Sequence, residues 1–369
     1  MKILQIIPQL SSGGAERFAV DLSNELAERG HEVVLVVLHS IEAHGFYEGQ
    51  LSPKVRLLSM NKPPGFDLRL FFRLYSLISR ERPNIIHTHL RAIVYALLAE
   101  CFVVHGVHTV HSEASAEASE WFSRTVRHVL FRTRRVTPVT ISPESQESFV
   151  RFYGMKDVPM IFNGRNVPER IEVSPAVAEE FRRYRHGTNQ RVLVCLARIY
   201  EVKRQDMLAR IAARLHDEGF CFTLLFIGST ISEKVKLEME RHAHPDVHIL
   251  GERQNPLEYL SQADAYCLCS SYEGLPISLL EALGTGCVPV CTPVGGIPNI
   301  VSNGKNGFLS EDISEEAYYK TLRRFLSLDD ETLRRFKAAA KASYSPYSMT
   351  GCAQKYLAIF QKNISSRCL

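Results

Sequence analysis

The chain has 369 residues, 45% of them hydrophobic, with a formal net charge of +4. That length can bury two cores, so two domains are expected, and so small a basic excess argues against a nucleic-acid binder. The nine cysteines are scattered without a CxxC pair, and those on expected strands (Cys195, Cys221, Cys267, Cys269, Cys287 and Cys291) read as buried small hydrophobes in a reducing compartment.

The opening MKILQIIPQL is a short apolar run cut by Pro8, a first strand (Lys2–Ile7) rather than a signal peptide. No apolar run approaches the roughly 18 residues of a membrane span, so a soluble or peripheral protein is expected. After Ser11-Ser12-Gly13-Gly14, Phe18, Leu22 and Leu26 recur at spacing four up to Gly30, which predicts a helix, and Val33–Leu38 predicts the next strand. The glycine loop thus lies at the carboxyl end of a strand, where open α/β sheets bind ligands. It lacks GxGxxG, so a nicotinamide cofactor is not expected. Taken alone, Gly13-Gly14 also serves as a plain tight turn.

Strands follow at Val55–Leu58 and Ile85–His89, joined through Pro63-Pro64-Gly65 and a helix around Leu68–Arg80. Histidines 87, 89, 105, 108 and 111 cluster without Cys or Glu at ligand spacing, so packing is preferred to a metal centre, and His111, ending the strand Val107–Val110, is the functional candidate. In Trp121–Arg135, five arginines flank an apolar stripe, a composition shared by interfacial helices near anionic lipid and by core-facing helices with a solvated basic face. A strand at Val139–Ser142, a helix from Ser142-Pro143 and a turn at Asn163-Gly164 close the first half.

The polar run Arg165–Gln190, with Pro168 and Pro175, reads as a linker. Beyond the strand Val192–Leu196, Arg198 and Lys203 are placed to face a diphosphate, although two surface bases give the same pattern. Strands Phe222–Ile227 and Val247–Leu250 end in Gly228 and in Gly251-Glu252-Arg253. Then comes Ala265–Cys269, a break at Glu273-Gly274, Pro276 in a first helical turn, a helix stopped by Gly284 and Gly286, and the strand Cys287–Cys291. The turn Gly274-Leu275-Pro276-Ile277-Ser278 presents helix N–H groups to a phosphate. Glu273 and Glu281 would then hold hydroxyls. If wholly helical, their separation would be about 12 Å along the axis, beyond the roughly 9.5 Å of a glycosidase acid and base pair. Val294-Gly295-Gly296, turns at Asn303-Gly304 and Asn306-Gly307, the strand Phe308-Leu309 and a helical remainder including Tyr344–Ile364 complete the chain.

Glu273, seven residues and Glu281, with Gly274 after the first and Ala282 after the second, resemble the signature of the retaining glycosyltransferases of family 4. The segments GGAERFAVDLSNELAERGHEV, TVHSE and Ala197–Lys203 are similar to further elements of that family. In the last, Ala197 and Arg204 replace two glycines, and Ser112 separates His111 from Glu113 where the family often has an acid directly. The resemblance implies an α/β GT-B fold, two doubly wound Rossmann-like domains facing across a cleft: residues 1–165, residues 166–345, and a helix over 346–369 returning to the first domain. It implies His111, Arg198, Lys203 and Glu273 as catalytic residues. Gly13, Gly14, Gly251, Arg253, Gly274, Leu275, Pro276, Ile277, Ser278, Leu279 and Glu281 would bind the donor. No Asp-x-Asp motif is present, and a metal-independent enzyme is expected. The implied partners are a UDP- or GDP-sugar and a glycan or lipid-linked acceptor in surface polysaccharide or glycolipid synthesis, in the cytoplasm, with Trp121–Arg135 touching the inner face of the membrane. The alternatives are an epimerase or phosphorylase of the same fold, or a non-catalytic binding module that would keep Glu281 but need neither Arg198 nor Lys203.

Overall fold

The computed structural model describes residues 1–40, 45–65, 67–96, 106–111, 121–185 and 190–365. His105, Ser112 and Glu113 and the side chains of Trp121 and Phe122 lie outside the described residues. Two units divide the chain, Met1–Asn166 with Tyr347–Leu369, and Val167–Pro346.

In the first unit, β1 (Lys2–Ile7), β2 (Glu32–Val37), β3 (Val55–Ser59), β4 (Ile85–His89), β5 (Gly106–Val110) and β6 (Val136–Thr140) pair in parallel in the order β3-β2-β1-β4-β5-β6. Strands covered on both faces must be apolar along their whole length, and Val33 to Val37 are accordingly buried without alternation. The order reverses between β1 and β4, which opens a crevice at the carboxyl ends of the strands. The helix Gly14–Glu28 buries Phe18, Leu22 and Leu26, as their spacing predicts.

The helix Met349–Ser365 completes this unit. Tyr356 is fully buried, its hydroxyl lies 2.8 Å from Thr109 Oγ1, and its ring packs on those of His87 and Phe18. Arg165, where the chain leaves the unit, is buried and ion-paired at 2.8 Å with buried Asp21.

The second unit repeats the plan. Its strands are β7 (Arg191–Leu196), β8 (Phe222–Ile227), β9 (Val247–Gly251), β10 (Ala265–Leu268), β11 (Val288–Cys291) and β12 (Phe308–Leu309), in the order β12-β11-β10-β7-β8-β9. Its reversal falls between β7 and β10, so the loops after these two strands flank the crevice.

Several expectations are corrected. The strand expected at Val139–Ser142 runs from Val136 to Thr140, because Pro138 is tolerated on an edge strand, and Ser142 instead caps the next helix. The supposed linker contains a helix, Pro175–Tyr184, with Ser174 as its cap and Pro175 in its first turn. Pro346 breaks the expected Tyr344–Ile364 helix at the 3-10 turn Ser345–Tyr347. Gly284 lies inside its helix, where Val167 leaves no room for a Cβ, and Gly286 alone ends it in the left-handed conformation. Cys221 is exposed, whereas Cys195, Cys267, Cys269, Cys287 and Cys291 are buried, with their thiol pKa values pushed up by desolvation.

Arg127 also departs from the basic-face reading of the helix Trp121–Arg132. It is buried, with its guanidinium on His108 Nε2 at 3.0 Å and on the Leu90 carbonyl at 2.9 Å.

Candidate active site

The loop after β7 carries Arg198, exposed, and leads into a short 3-10 turn, Glu201–Lys203. Buried Gln205 fixes that loop by donating to the Arg198 carbonyl at 2.8 Å and accepting from the Tyr200 N–H at 3.4 Å. Arg204 then takes a left-handed conformation, φ 54°. The backbone therefore keeps the path that a glycine would follow, so replacing that glycine leaves the loop geometry intact and adds strain of roughly 1–2 kcal/mol. A hydrogen bond from Arg204 Nη1 to the Ile313 carbonyl opposes this cost. Arg204→Gly is accordingly expected to hold or raise the thermal midpoint and Arg204→Val to lower it. Equal losses in both, measured by thermal unfolding, would refute the strained-loop account.

Lys203 meets Glu273, which comes from the loop after β10. Their side chains form an ion pair at 2.5 Å, and Ser270 Oγ donates to the same carboxylate oxygen at 2.6 Å. Glu273 is 8% exposed. A carboxylate so far removed from water requires such partners. The two loops are also joined through backbone: Ser271 N–H donates to the Val202 carbonyl at 2.8 Å, and the Cys269 thiol contacts the carbonyls of Lys203 (3.3 Å) and Arg204 (3.1 Å).

Beneath Glu273 runs the loop after β11. Gly295 has φ 53°, and a Cβ there would sit 1.9 Å from the Glu273 carbonyl oxygen. Gly296 N–H donates to the Gly274 carbonyl at 2.7 Å, and Thr292 Oγ1 to the Ser270 carbonyl at 2.6 Å. Gly228 plays the same close-approach role at β8, where a Cβ would meet the Ala197 carbonyl at 2.2 Å, and its N–H donates to the Gly251 carbonyl.

The helix Ile277–Thr285 starts beside this nest. Its N-cap is Pro276, one position earlier than the first-turn place expected, and no side chain caps it. First-turn N–H groups left without a side-chain cap are a seat for an anion. Ser278 Oγ is 2.7 Å from the hydroxyl of buried Tyr266, and Glu281 is buried one turn on. The side chains of Leu275 and Ile277 are buried, so only their backbone can serve a ligand. Leu279 is fully buried with its N–H on the Pro276 carbonyl. Arg253 braces its own turn through the Leu250 carbonyl (2.6 Å) and the Tyr259 hydroxyl (3.1 Å).

The first unit holds the remaining predicted residues. Gly13 is the N-cap of its helix, and the Glu16 carboxylate fills the space a Gly13 side chain would take, 2.1 Å from the position of a Cβ. Ser11 Oγ donates to that carboxylate at 2.9 Å. His111 Nε2 lies 3.0 Å from His89 Nδ1, and His89 Nε2 lies 2.8 Å from Gln5 Oε1. Burial pushes the His87 and His89 imidazoles well below the usual histidine pKa, so both are neutral at pH 7. With Gln5 accepting from Nε2, neutral His89 accepts at Nδ1 from His111.

Sequence reasoning missed Gln205, Cys269, Ser270 and Gly295. Gly295-Gly296 was legible as the end of a strand, but its contact with Glu273 is a long-range one that no local pattern carries.

Two family models match in tandem, the one described as Glycosyltransferase Family 4 over residues 12–169 and the one described as Glycosyl transferases group 1 over residues 177–343. Between them they span most of the chain, which belongs to the family 4 glycosyltransferases and is therefore a sugar-transferring enzyme. It is similar to the N-acetyl-alpha-D-glucosaminyl L-malate synthase of Bacillus anthracis, 25% identical over 315 residues, 82% of this chain and 81% of that protein. An alpha-1,4-N-acetyl-D-galactosaminyltransferase of Campylobacter jejuni, named for a diNAcBac-PP-undecaprenol-linked acceptor, is 26% identical over 357 residues, 91% of each chain. Among solved structures, Anabaena Alr3699/HepE in complex with UDP and glucose matches with a TM-score of 0.81 at 20% identity, covering 98% of this chain and 100% of that chain. The likeness shows the GT-B fold.

Proposed function

We propose that this chain moves a sugar from a UDP-sugar, with retention of anomeric configuration, to a lipid-linked or glycan acceptor in surface polysaccharide or glycolipid synthesis. The observation that carries the reading is the meeting of Lys203 and Glu273 beside a helix start without a side-chain cap. A cation, a carboxylate and backbone N–H groups converge at the carboxyl edge of the sheet, where open α/β sheets take nucleotides. Arg198 and Lys203 stabilise the charge that builds on the leaving diphosphate, aided by the first turn of the helix Ile277–Thr285. Glu273 holds sugar hydroxyls, Glu281 the ribose, and Gly251 approaches the base. The leaving phosphate takes the acceptor's proton, so no separate general base is required.

UDP is favoured over GDP because the Anabaena protein was solved with it. The lipid-linked acceptor follows the name of the Campylobacter relative. Among the described residues no helix is long and apolar enough to cross a membrane. Thermal unfolding with UDP, GDP and their common sugar conjugates tests the reading. Protection by UDP and one UDP-sugar, lost in Glu281→Ala, is expected. Protection by none of them would sink it.

A further inference from the structure

The helix Leu68–Glu81 of the first unit has two apolar faces, and only one of them is buried among the described residues. Its inner face is ordinary core: Leu70, Phe71, Leu74, Leu77 and Ile78 are buried. On the outside, Leu68 is 62% exposed, Phe72 64% and Tyr75 41%. These fall at i, i+4 and i+7, so they form a single stripe along the helix. Isolated exposed apolar side chains are normal, but three large ones aligned on one helix are the signature of a surface that is covered in use.

The charges beside the stripe say what covers it. Arg69, Arg73 and Arg80, at i, i+4 and i+11, run along one flank, and Arg82 follows at the end of the helix; all four are exposed. Arg73 also donates to the Met60 carbonyl, which leaves its charge uncancelled. The nearby carboxylates do not neutralise the row. Asp67 is the N-cap and accepts from the Arg69 N–H at 2.9 Å, while Glu81 is buried and bound by Lys2 and Arg56, with Arg80 Nη2 at 3.7 Å. The outer face is therefore apolar and cationic, with no exposed carboxylate on the helix itself.

We infer that this helix lies on an anionic lipid surface, with Leu68, Phe72 and Tyr75 at the boundary of headgroups and acyl chains and the arginines among the lipid phosphates. Long cationic side chains beside an apolar stripe suit a diffuse anionic plane, since they reach out to phosphates while the stripe sinks between them. Tyrosine, with an apolar ring and a polar tip, belongs at that depth. The contact does not depend on which sugar is transferred, and it would bring the enzyme to a lipid-linked acceptor.

The assignment moves the membrane contact away from Trp121–Arg132. There Val126, Leu130 and Phe131 face the core, Arg127 is buried, and Val129 is the one exposed apolar side chain among those described.

Co-sedimentation of the full chain with vesicles of phosphatidylcholine, with and without phosphatidylglycerol, at low and high salt tests the proposal. Binding is expected only with phosphatidylglycerol and is expected to weaken with salt. The partition coefficient should drop at least about tenfold in Leu68→Ser/Phe72→Ser and in Arg69→Glu/Arg80→Glu. Leu68→Ser/Phe72→Ser should leave the thermal midpoint unchanged, because both side chains are exposed. Arg132→Ser/Arg134→Ser should bind as wild type. No binding to phosphatidylglycerol vesicles at low salt, or binding lost through Arg132 and Arg134 but kept without Leu68 and Phe72, would overturn the assignment. Self-association in sedimentation velocity that Leu68→Ser/Phe72→Ser abolishes would instead make the stripe a protein interface, which also overturns it.

Discussion

Lys203→Ala is expected to lower turnover at least tenfold while the chain stays folded. The ammonium is the group proposed to meet the diphosphate as the glycosidic bond breaks, and removing one preorganised donor of this kind costs on the order of 3 kcal/mol in other enzymes. A second effect is superimposed, because Lys203 also pairs with Glu273, whose carboxylate would keep only the Ser270 hydroxyl among the partners described above. Part of any loss will therefore appear as stability. Combining Lys203→Ala with Glu273→Gln separates the two: the neutral amide removes the buried charge and should restore the thermal midpoint without restoring turnover. Wild-type kcat in purified Lys203→Ala would remove the diphosphate role.

Gly295→Ala carries the largest expected structural cost. The residue combines a left-handed backbone, which costs an L side chain roughly 1–2 kcal/mol, with a Cβ that would sit only 1.9 Å from a backbone oxygen that cannot rotate away. Overpacking of this kind adds roughly 1–3 kcal/mol. The sum is about 2–5 kcal/mol, and because the displaced atom belongs to Glu273, turnover should fall further than stability explains. Gly30→Ala is the control, with φ 82° and nothing within 4 Å of the added carbon. Chemical denaturation should show Gly295→Ala losing clearly more than Gly30→Ala; equal losses would mean that the loop yields.

The repeating strands and helices, the glycine stops at Gly30 and Gly286 and the spacing of Glu273 and Glu281 were legible because each is a local pattern. The failures share a different character. The strand Val136–Thr140 was placed too late and Pro175 was read as part of a linker, yet an edge strand and a first helical turn each accept a proline, and only the surrounding topology shows which case applies. Arg127 looked like a solvated base because composition cannot show that His108 and the Leu90 carbonyl wait in the core to receive it. Gln205 and Cys269 matter through contacts with loops from other strands, and such pairings exist only once the sheet has assembled. Arg204 went the other way: its departure from a glycine pattern put the loop in doubt, and the backbone adopted the glycine conformation regardless.

Residues Tyr347–Leu369 finish a core whose other parts precede Val167. On the ribosome, the nascent first unit must therefore wait for its last helix while Val167–Pro346 is made, roughly 10–40 s at 5–20 residues per second. During that interval the surface around His87, Thr109 and Phe18 lacks the Tyr356 ring, whereas the second unit is continuous and can fold as it emerges. A chain released before Met349 would accordingly misfold at its beginning rather than at its end.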